Sequence, residues 1–264
     1  PVALDGPILT IRKFPEPVTM ERLLRYGSIS EEAAVFLQKL VEARYNIFVS
    51  GGTGAGKTTF LNALSEFIPS GERVITIEDS AELRLHHIEN LVRLETREAN
   101  AEGQGAIGIG MLIRAALRMR PDRILIGEVR GKEALDLLQA MNTGHDGSFS
   151  TGHANSPRDM LARLETMVLM AAELPLPAIR SQIASAVDIM VHVARLRDKS
   201  RKVTAIEEVD RYENGEIILN SLYRFQEHEK GGEKNEASRR VEGSLEKTGE
   251  LRHREKLRMA GIEL

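Results

Sequence analysis

One short run limits what this chain can fold into more than anything else in it. Gly51-Gly52-Thr53-Gly54-Ala55-Gly56-Lys57-Thr58 follows an apolar stretch, Asn46–Ser50, and precedes Thr59 and an amphipathic stretch carrying Phe60, Leu61, Ala63, Leu64 and Phe67. This is the G-x-x-x-x-G-K-[ST] pattern in its required setting, between a strand and a helix. A tight glycine turn needs neither the lysine nor the paired threonines at these offsets, so the spacing points to a polyphosphate ligand. Glycine lets backbone N–H groups turn inward around phosphate oxygens, and a helix N-terminus adds partial positive charge. Gly52, Thr53, Gly54, Ala55, Gly56, Lys57, Thr58 and Thr59 are therefore the candidate nucleotide-binding residues. Lys57 is expected to reach the β- and γ-phosphates and Thr58 to hold Mg²⁺ through its hydroxyl.

The rest of the text agrees with an α/β fold whose sheet is mainly parallel and flanked by helices. Apolar strands at 46–50, 73–78, 90–94, 123–127, 147–151 and 188–194 alternate with helical segments at 57–67, 107–119, 132–142, 156–170 and 177–187, the rhythm of βαβ units. Residues 45–225 form the expected catalytic domain. Ahead of it, 18–44 reads as lead-in helices, with Ser30-Glu31-Glu32 as a helix start. Residues 1–17, with Ile8, Leu9 and Ile11 before Pro15 and Pro17, read as the tail of an N-terminal domain, so the chain is expected to start inside a longer protein. The span 202–223 reads as a C-terminal β-hairpin turning at Asn214-Gly215. Residues 226–250, rich in Glu, Lys, Gly and Ser, read as a flexible charged linker, and 251–264 as a short C-terminal helix.

Composition excludes several classes. With no cysteine among 264 residues, neither a disulfide framework nor a Cys-ligated zinc site is available. A net charge of −3 gives no global reason to expect direct binding to nucleic acid. No apolar run approaches the roughly 18–20 residues that span a bilayer, and the expected location is cytoplasmic.

A phosphate loop leaves the chemistry open, so the carboxylates at strand ends matter next. Arg73–Asp79 is an apolar strand ending in Glu78 and Asp79, with Glu82 three residues on. Ligands of parallel sheets bind outside the carboxyl ends of strands, which aims Glu78 at the same crevice; a capping role for Asp79 and Glu82 is the alternative. Arg123-Ile124-Leu125-Ile126-Gly127-Glu128 is a second such strand. Glu128 can bind the Mg²⁺ shell and orient or deprotonate the attacking water. Gly127 stands where P-loop ATPases more often carry an aspartate. A third segment, Gly144–Ser156, carries His145 and His153 at either end of a strand; a histidine at a strand end can hydrogen-bond a γ-phosphate, though two histidines eight apart, taken alone, read more readily as ordinary loop residues.

Four segments, GGTGAGKTT, VITIEDSAEL, ILIGEVRG and GHDGSFSTGHANS, together resemble, in order and spacing, the ATPase superfamily of type II and type IV secretion systems. The sequence is most similar to its CpaF/TadA branch, which powers Flp (tight-adherence) pili. The resemblance implies a RecA-like domain in a ring, usually a homo-hexamer, with ATP and Mg²⁺ between subunits. It further implies inner-membrane platform proteins of a pilus or secretion machine as partners, and a peripheral position at the inner membrane. Carried over by position, Lys57 and Thr58 bind phosphate and magnesium, Glu128 positions the water, Glu78 and Glu82 complete the acidic site, and His153 senses the nucleotide. Arg97 and Arg118 are the candidate arginines acting on the γ-phosphate, where a guanidinium neutralises charge on the transferring oxygens.

Other readings are weaker on the residues. A GTPase needs an Asn-Lys-x-Asp element, which the chain lacks. A small kinase carries an arginine-rich lid, whereas the segment after the Glu128 strand is rich in glycine and histidine. A nucleotide-binding subunit without turnover would not need Lys57, Glu78 and Glu128 together. Pilus retraction and conjugative DNA transfer remain as alternative loads for the same motor.

Overall fold

The computed structural model describes residues 6–11, 17–228 and 241–264. Its centre is β1 (Ile47–Gly51), buried along its whole length. Around it the described strands form one sheet in the order β3-β2-β4-β5-β1-β6-β7-β8-β9. β2 (Arg73–Glu78), β3 (Asn90–Glu95), β4 (Arg123–Ile126), β5 (Phe149–His153) and β6 (Ile189–Arg195) are all parallel to β1 or to one another. β7 (Arg201–Glu213) turns the sheet antiparallel, and β8 (Glu216–Glu227) and β9 (Gly243–Lys247) continue it.

Side-chain alternation divides the core into two layers. Ile47, Val49, Val74, Ile189 and Val191 face one cluster, which α2 (Glu31–Glu42) and α3 (Lys57–Ser65) cover with Leu37, Leu40, Leu61 and Leu64. Phe48, Ile75, Ile77 and Met190 face the other. That side is covered by α4 (Ile109–Ala116), α5 (Glu133–Asn142), α6 (Pro157–Ala171) and α7 (Leu176–Ala186). Continuously apolar strands are what a sheet covered on both faces requires.

Local signals set the ends of these elements. Ser30 caps α2 by accepting from Ala33 N–H, and Ser156 caps α6 from the Asp159 N–H with Pro157 in its first turn. Thr19 caps α1 (Met20–Arg25). Asn214 and Gly215 turn the β7–β8 hairpin at φ 51° and 86°, the pair of positive φ values that a two-residue turn demands. Asn46 fixes the lower end of β1: its Oδ1 accepts from Gly147 and Ser148 N–H, and its Nδ2 donates to Ala186 O.

Two expectations need correction at the edges. The stretch 226–250 is not linker throughout: β8 runs to Glu227, and Gly243–Lys247 forms β9, with Phe225 opposite Leu245. One buried leucine suffices there because the strand is added to an existing ladder, and Gly243 fits only because it has no side chain; a Cβ would lie 2.3 Å from Gln226 O. Residues 229–240 of the same stretch lie outside the described residues. The last helix, α8, is shorter than expected, Glu255–Ala260. Residues 251–254 before it form a loop whose Arg252 and His253 N–H groups donate to Glu208 on β7. At the other end, residues 6–11 have no regular structure and leave Ile8, Leu9 and Ile11 exposed. Among the described residues no helix is long and apolar enough to cross a membrane.

Candidate functional site

The phosphate loop leaves β1 where the sheet is tightest. A Cβ on Gly51 would lie 2.2 Å from Val193 O, so only glycine can end this strand. Gly54 and Gly56 follow in the left-handed region, at φ 70° and 96°, where glycine is the unstrained choice. Gly56 is also the N-cap of α3 and offers no capping side chain. The first N–H groups of α3 therefore have no intrahelical or side-chain acceptor and point with the helix dipole at the cleft. Lys57 begins the helix. Its ammonium lies 3.3 Å from Gly52 O and 3.2 Å from His153 Nδ1, and burial holds its pKa below the ordinary lysine value.

His153, at the end of β5, joins this lysine to Glu128, just beyond β4. Burial first, and the Lys57 charge second, lower the imidazole pKa, so the ring is neutral at pH 7. Since Lys57 donates to Nδ1, the ring proton sits on Nε2, 2.7 Å from Glu128 Oε1. That approach is off the line of a hydrogen bond, and Oε1 is a buried oxygen with no hydrogen-bond partner among the described residues. The other carboxylate oxygen accepts from Arg130 Nη2 at 2.8 Å, and Arg130 Nη1 reaches to 3.8 Å from Asp79 Oδ2. Residues at three strand ends, Asp79, Glu128 and His153, are thus linked through Glu128 and Arg130.

The other sequence candidates divide. Glu82 lines the cleft with Thr53, Gly54, Gly56, Lys57, Thr58, Thr59, Glu128 and His153. Glu78 is buried and faces its own chain: one carboxylate oxygen accepts from Glu82 and Leu83 N–H at 2.8 and 2.9 Å. Burial raises its pKa, against the two amides that favour its charged form. Its side chain also accounts for Gly127, because a Cβ there would lie 3.1 Å from Glu78 Cγ. Arg97 bridges to Ile107 and donates to Gly105 O, and Arg118 is exposed just after α4; neither lines the cleft. His145 lies at the opposite end of β5 from His153, so the strand separates the two histidines.

The cleft holds about 760 Å³, within the usual range for ligand sites. Its far wall was not legible in the sequence. Val18, Leu23 and Tyr26 come from α1 and its approach, and Lys199, Ser200 and Arg201 from the β6–β7 turn. Arg201 Nε donates to Gly54 O at 2.9 Å. Arg130 could have been found two residues after Glu128, whereas nothing in the text of 198–201 marks Arg201.

The donor set suits a magnesium nucleotide. Thr58 and Glu128 line the cleft and carry hard oxygen donors, and among the described residues no group of three His, Asp or Glu forms a separate metal cage. Magnesium held mainly by substrate phosphates asks for one or two protein oxygens.

A profile of the family described as Type II/IV secretion system protein matches residues 1–243. A putative conjugal transfer protein of Mycobacterium tuberculosis is 44% identical over 207 residues, covering 78% of this chain and 58% of that protein. The type IV secretion system protein PtlH of Bordetella pertussis is 45% identical over 163 residues, 61% of this chain and 48% of its own. Among solved structures, the VirB11 ATPase of the Brucella suis type IV secretion system, in complex with sulphate, superposes with a TM-score of 0.61 at 33% identity, covering 75% of this chain and 60% of that one. The chain thus spans a little over half the length of the mycobacterial relative. Phosphate loop, strand-end carboxylates and a match along nearly the whole length agree: the chain belongs to the Type II/IV secretion system protein family.

Proposed function

We propose that this chain hydrolyses ATP with Mg²⁺ as the nucleotide domain of a ring-forming, hexameric motor, and that its load is a pilus or a secreted protein. The observation that carries the reading is Glu128 Oε1, a buried oxygen with no hydrogen bond among the described residues, 2.7 Å from the His153 ring that Lys57 contacts, in the cleft lined by the phosphate loop. In this assignment Lys57 and the N-terminal amides of α3 hold the β- and γ-phosphates. Thr58 and Glu128 hold the metal shell. The metal, when bound, screens the charge on the phosphate oxygens. Glu128 orients and deprotonates the water, and His153 reports the γ-phosphate by exchanging its Lys57 contact. Glu78 shapes the Glu82 turn, so its part in the acidic site is indirect, and Glu82 faces the cleft itself. Arg97 and Arg118, outside this cleft, are assigned to the site of a neighbouring subunit, where a guanidinium can meet the transferring phosphate.

The motif text supports a tight-adherence pilus motor of the CpaF/TadA kind, working at the cytoplasmic side of the inner membrane against platform proteins. The mycobacterial relative's description as a conjugal transfer protein favours a second load, conjugative DNA transfer. A net charge of −3 gives that load no global electrostatic support from this chain itself.

Nucleotide titration and phosphate-release assays on two variants test the assignment. Lys57→Ala is expected to abolish ATP binding. Glu128→Gln is expected to bind ATP normally while turnover falls about a hundredfold or more, the usual contribution of a general base. Undiminished phosphate release by Glu128→Gln would remove Glu128 from the chemistry.

A further inference from the structure

β1 and β6 share a polar pair that the phosphate chemistry does not use. Up to that point the two strands meet in apolar register, Ile47 with Ile189, Phe48 with Met190 and Val49 with Val191. The next step sets Ser50 opposite His192, immediately before Gly51 opens the loop. Both side chains are buried, and the Ser50 hydroxyl lies 2.9 Å from His192 Nδ1 and 3.4 Å from Val191 O. A hydroxyl has a single proton to give. The ring nitrogen is the nearer acceptor, which leaves the imidazole proton on Nε2. Burial lowers the imidazole pKa; Asp159 of α6 opposes that shift and the Lys57 charge adds to it. The ring is therefore neutral at pH 7 and free to accept.

Side-chain alternation puts this pair on the face of the sheet opposite to α3. Ser50 and His192 each stand two residues past a member of the layer that α4, α5, α6 and α7 cover, Phe48 and Met190. The end of β1 is thus held from behind, by a ring that does not line the nucleotide cleft. β6 is itself fixed at this point. Thr204 Oγ1 donates to His192 O at 3.3 Å, and the β6–β7 register shifts between His192 and Val193, the kind of bulge that re-aims a side chain. Val193 O then lies 2.2 Å from where a Cβ on Gly51 would stand. One short piece of β6 meets the last two residues of β1, through a side chain at Ser50 and through backbone at Gly51. Stability alone gives no reason for the polar pair, since replacing both partners of a buried hydrogen bond by apolar groups is close to neutral. What the bond adds over an apolar contact is direction.

We infer that His192 is a positioning residue for the phosphate loop: its bond to Ser50 sets the direction in which the chain leaves β1, and so the placing of Gly54, Gly56 and Lys57 around the phosphates. This rests on the loop binding a triphosphate, as proposed above.

ATP titration of the whole chain, with urea unfolding beside it, tests the assignment. Ser50→Ala and His192→Leu are each expected to weaken ATP about tenfold, the worth of one hydrogen bond. The double variant should lose no more than either single one, because the same bond is missing from all three. Its urea midpoint should equal or exceed the parent's, an outcome that a merely structural pair would not give. His192→Asn, whose amide oxygen can take the place of Nδ1, is expected to recover affinity to within about twofold of the parent. Unchanged ATP affinity in either single variant, additive losses in the double variant, a lowered midpoint there, or no recovery in His192→Asn overturns the assignment. Lys57→Ala checks the underlying reading separately. If that variant still binds ATP, the triphosphate site falls whatever Ser50 and His192 do; if it loses ATP while the Ser50 and His192 variants bind normally, the positioning role alone falls.

Discussion

At the scale of single residues, the site is a set of partners that restrain one another. Lys57 donates to a neutral His153, whose Nε2–H faces Glu128, whose second oxygen is held by Arg130. Burial disfavours a protonated imidazole, which would set a third cation beside Lys57 and Arg130. Glu78 belongs to a different logic, since it fastens the turn at Glu82 and Leu83 and fills the space beside Gly127. Restoring the aspartate common among P-loop ATPases should therefore harm this protein. Gly127→Asp is expected to lower stability by about 1–3 kcal/mol, the range for overpacking a tight site. A urea midpoint equal to that of the parent would show that Glu78 moves aside freely.

Among the elements, legibility followed periodicity and failed where a partner supplies the stabilisation. The buried strands and α3, α5, α6 and α7 could be read within about two residues, because each carries its own apolar spacing or cap. The α4 segment was read too long: residues 107–108 and 117–119 flank Ile109–Ala116 without joining it, and Ile107 instead bridges to Arg97. β9 was missed because its ladder comes from β8 and its composition is polar. The phosphate loop, Glu128, His153 and Glu82 were legible as motif positions, whereas Tyr26, Lys199 and Arg201 reach the cleft only through the packing of α1 and the β6–β7 turn. The C-terminal loop shows the same dependence: buried Glu208 accepts from Arg252 N–H, His253 N–H and Asn220 Nδ2, while Tyr45 donates to His253 O. Glu208→Ala leaves the Arg252 and His253 N–H groups without this acceptor, at about 1–3 kcal/mol for a buried group, while Asn220 Nδ2 keeps Glu250 O. Amide exchange should then quicken across 251–262 while β1 keeps its protection; unchanged exchange in that segment would mean that Lys256, paired with Asp146 and Asp188, holds α8 alone.

At the scale of the whole molecule, a motor reading demands that copies associate around nucleotide. Light scattering with a non-hydrolysable ATP analogue is expected to show a sixfold rise in mass over the nucleotide-free chain, and strict monomers under both conditions would count heavily against a ring. How such copies meet is constrained by the two ends of the sheet that the described residues form. β3 ends it on one side with Asn90, Arg93 and Glu95 exposed, and β9 on the other with Glu246 and Lys247 exposed. Both are only six and five residues long. Short, charged outer strands are how proteins keep unpaired backbone from recruiting another chain. Growth of the sheet from one copy into the next is therefore disfavoured at both margins of the described sheet, which leaves helices and loops as the surfaces for a neighbour, contacts that can slide and rotate without any ladder of hydrogen bonds being torn and remade.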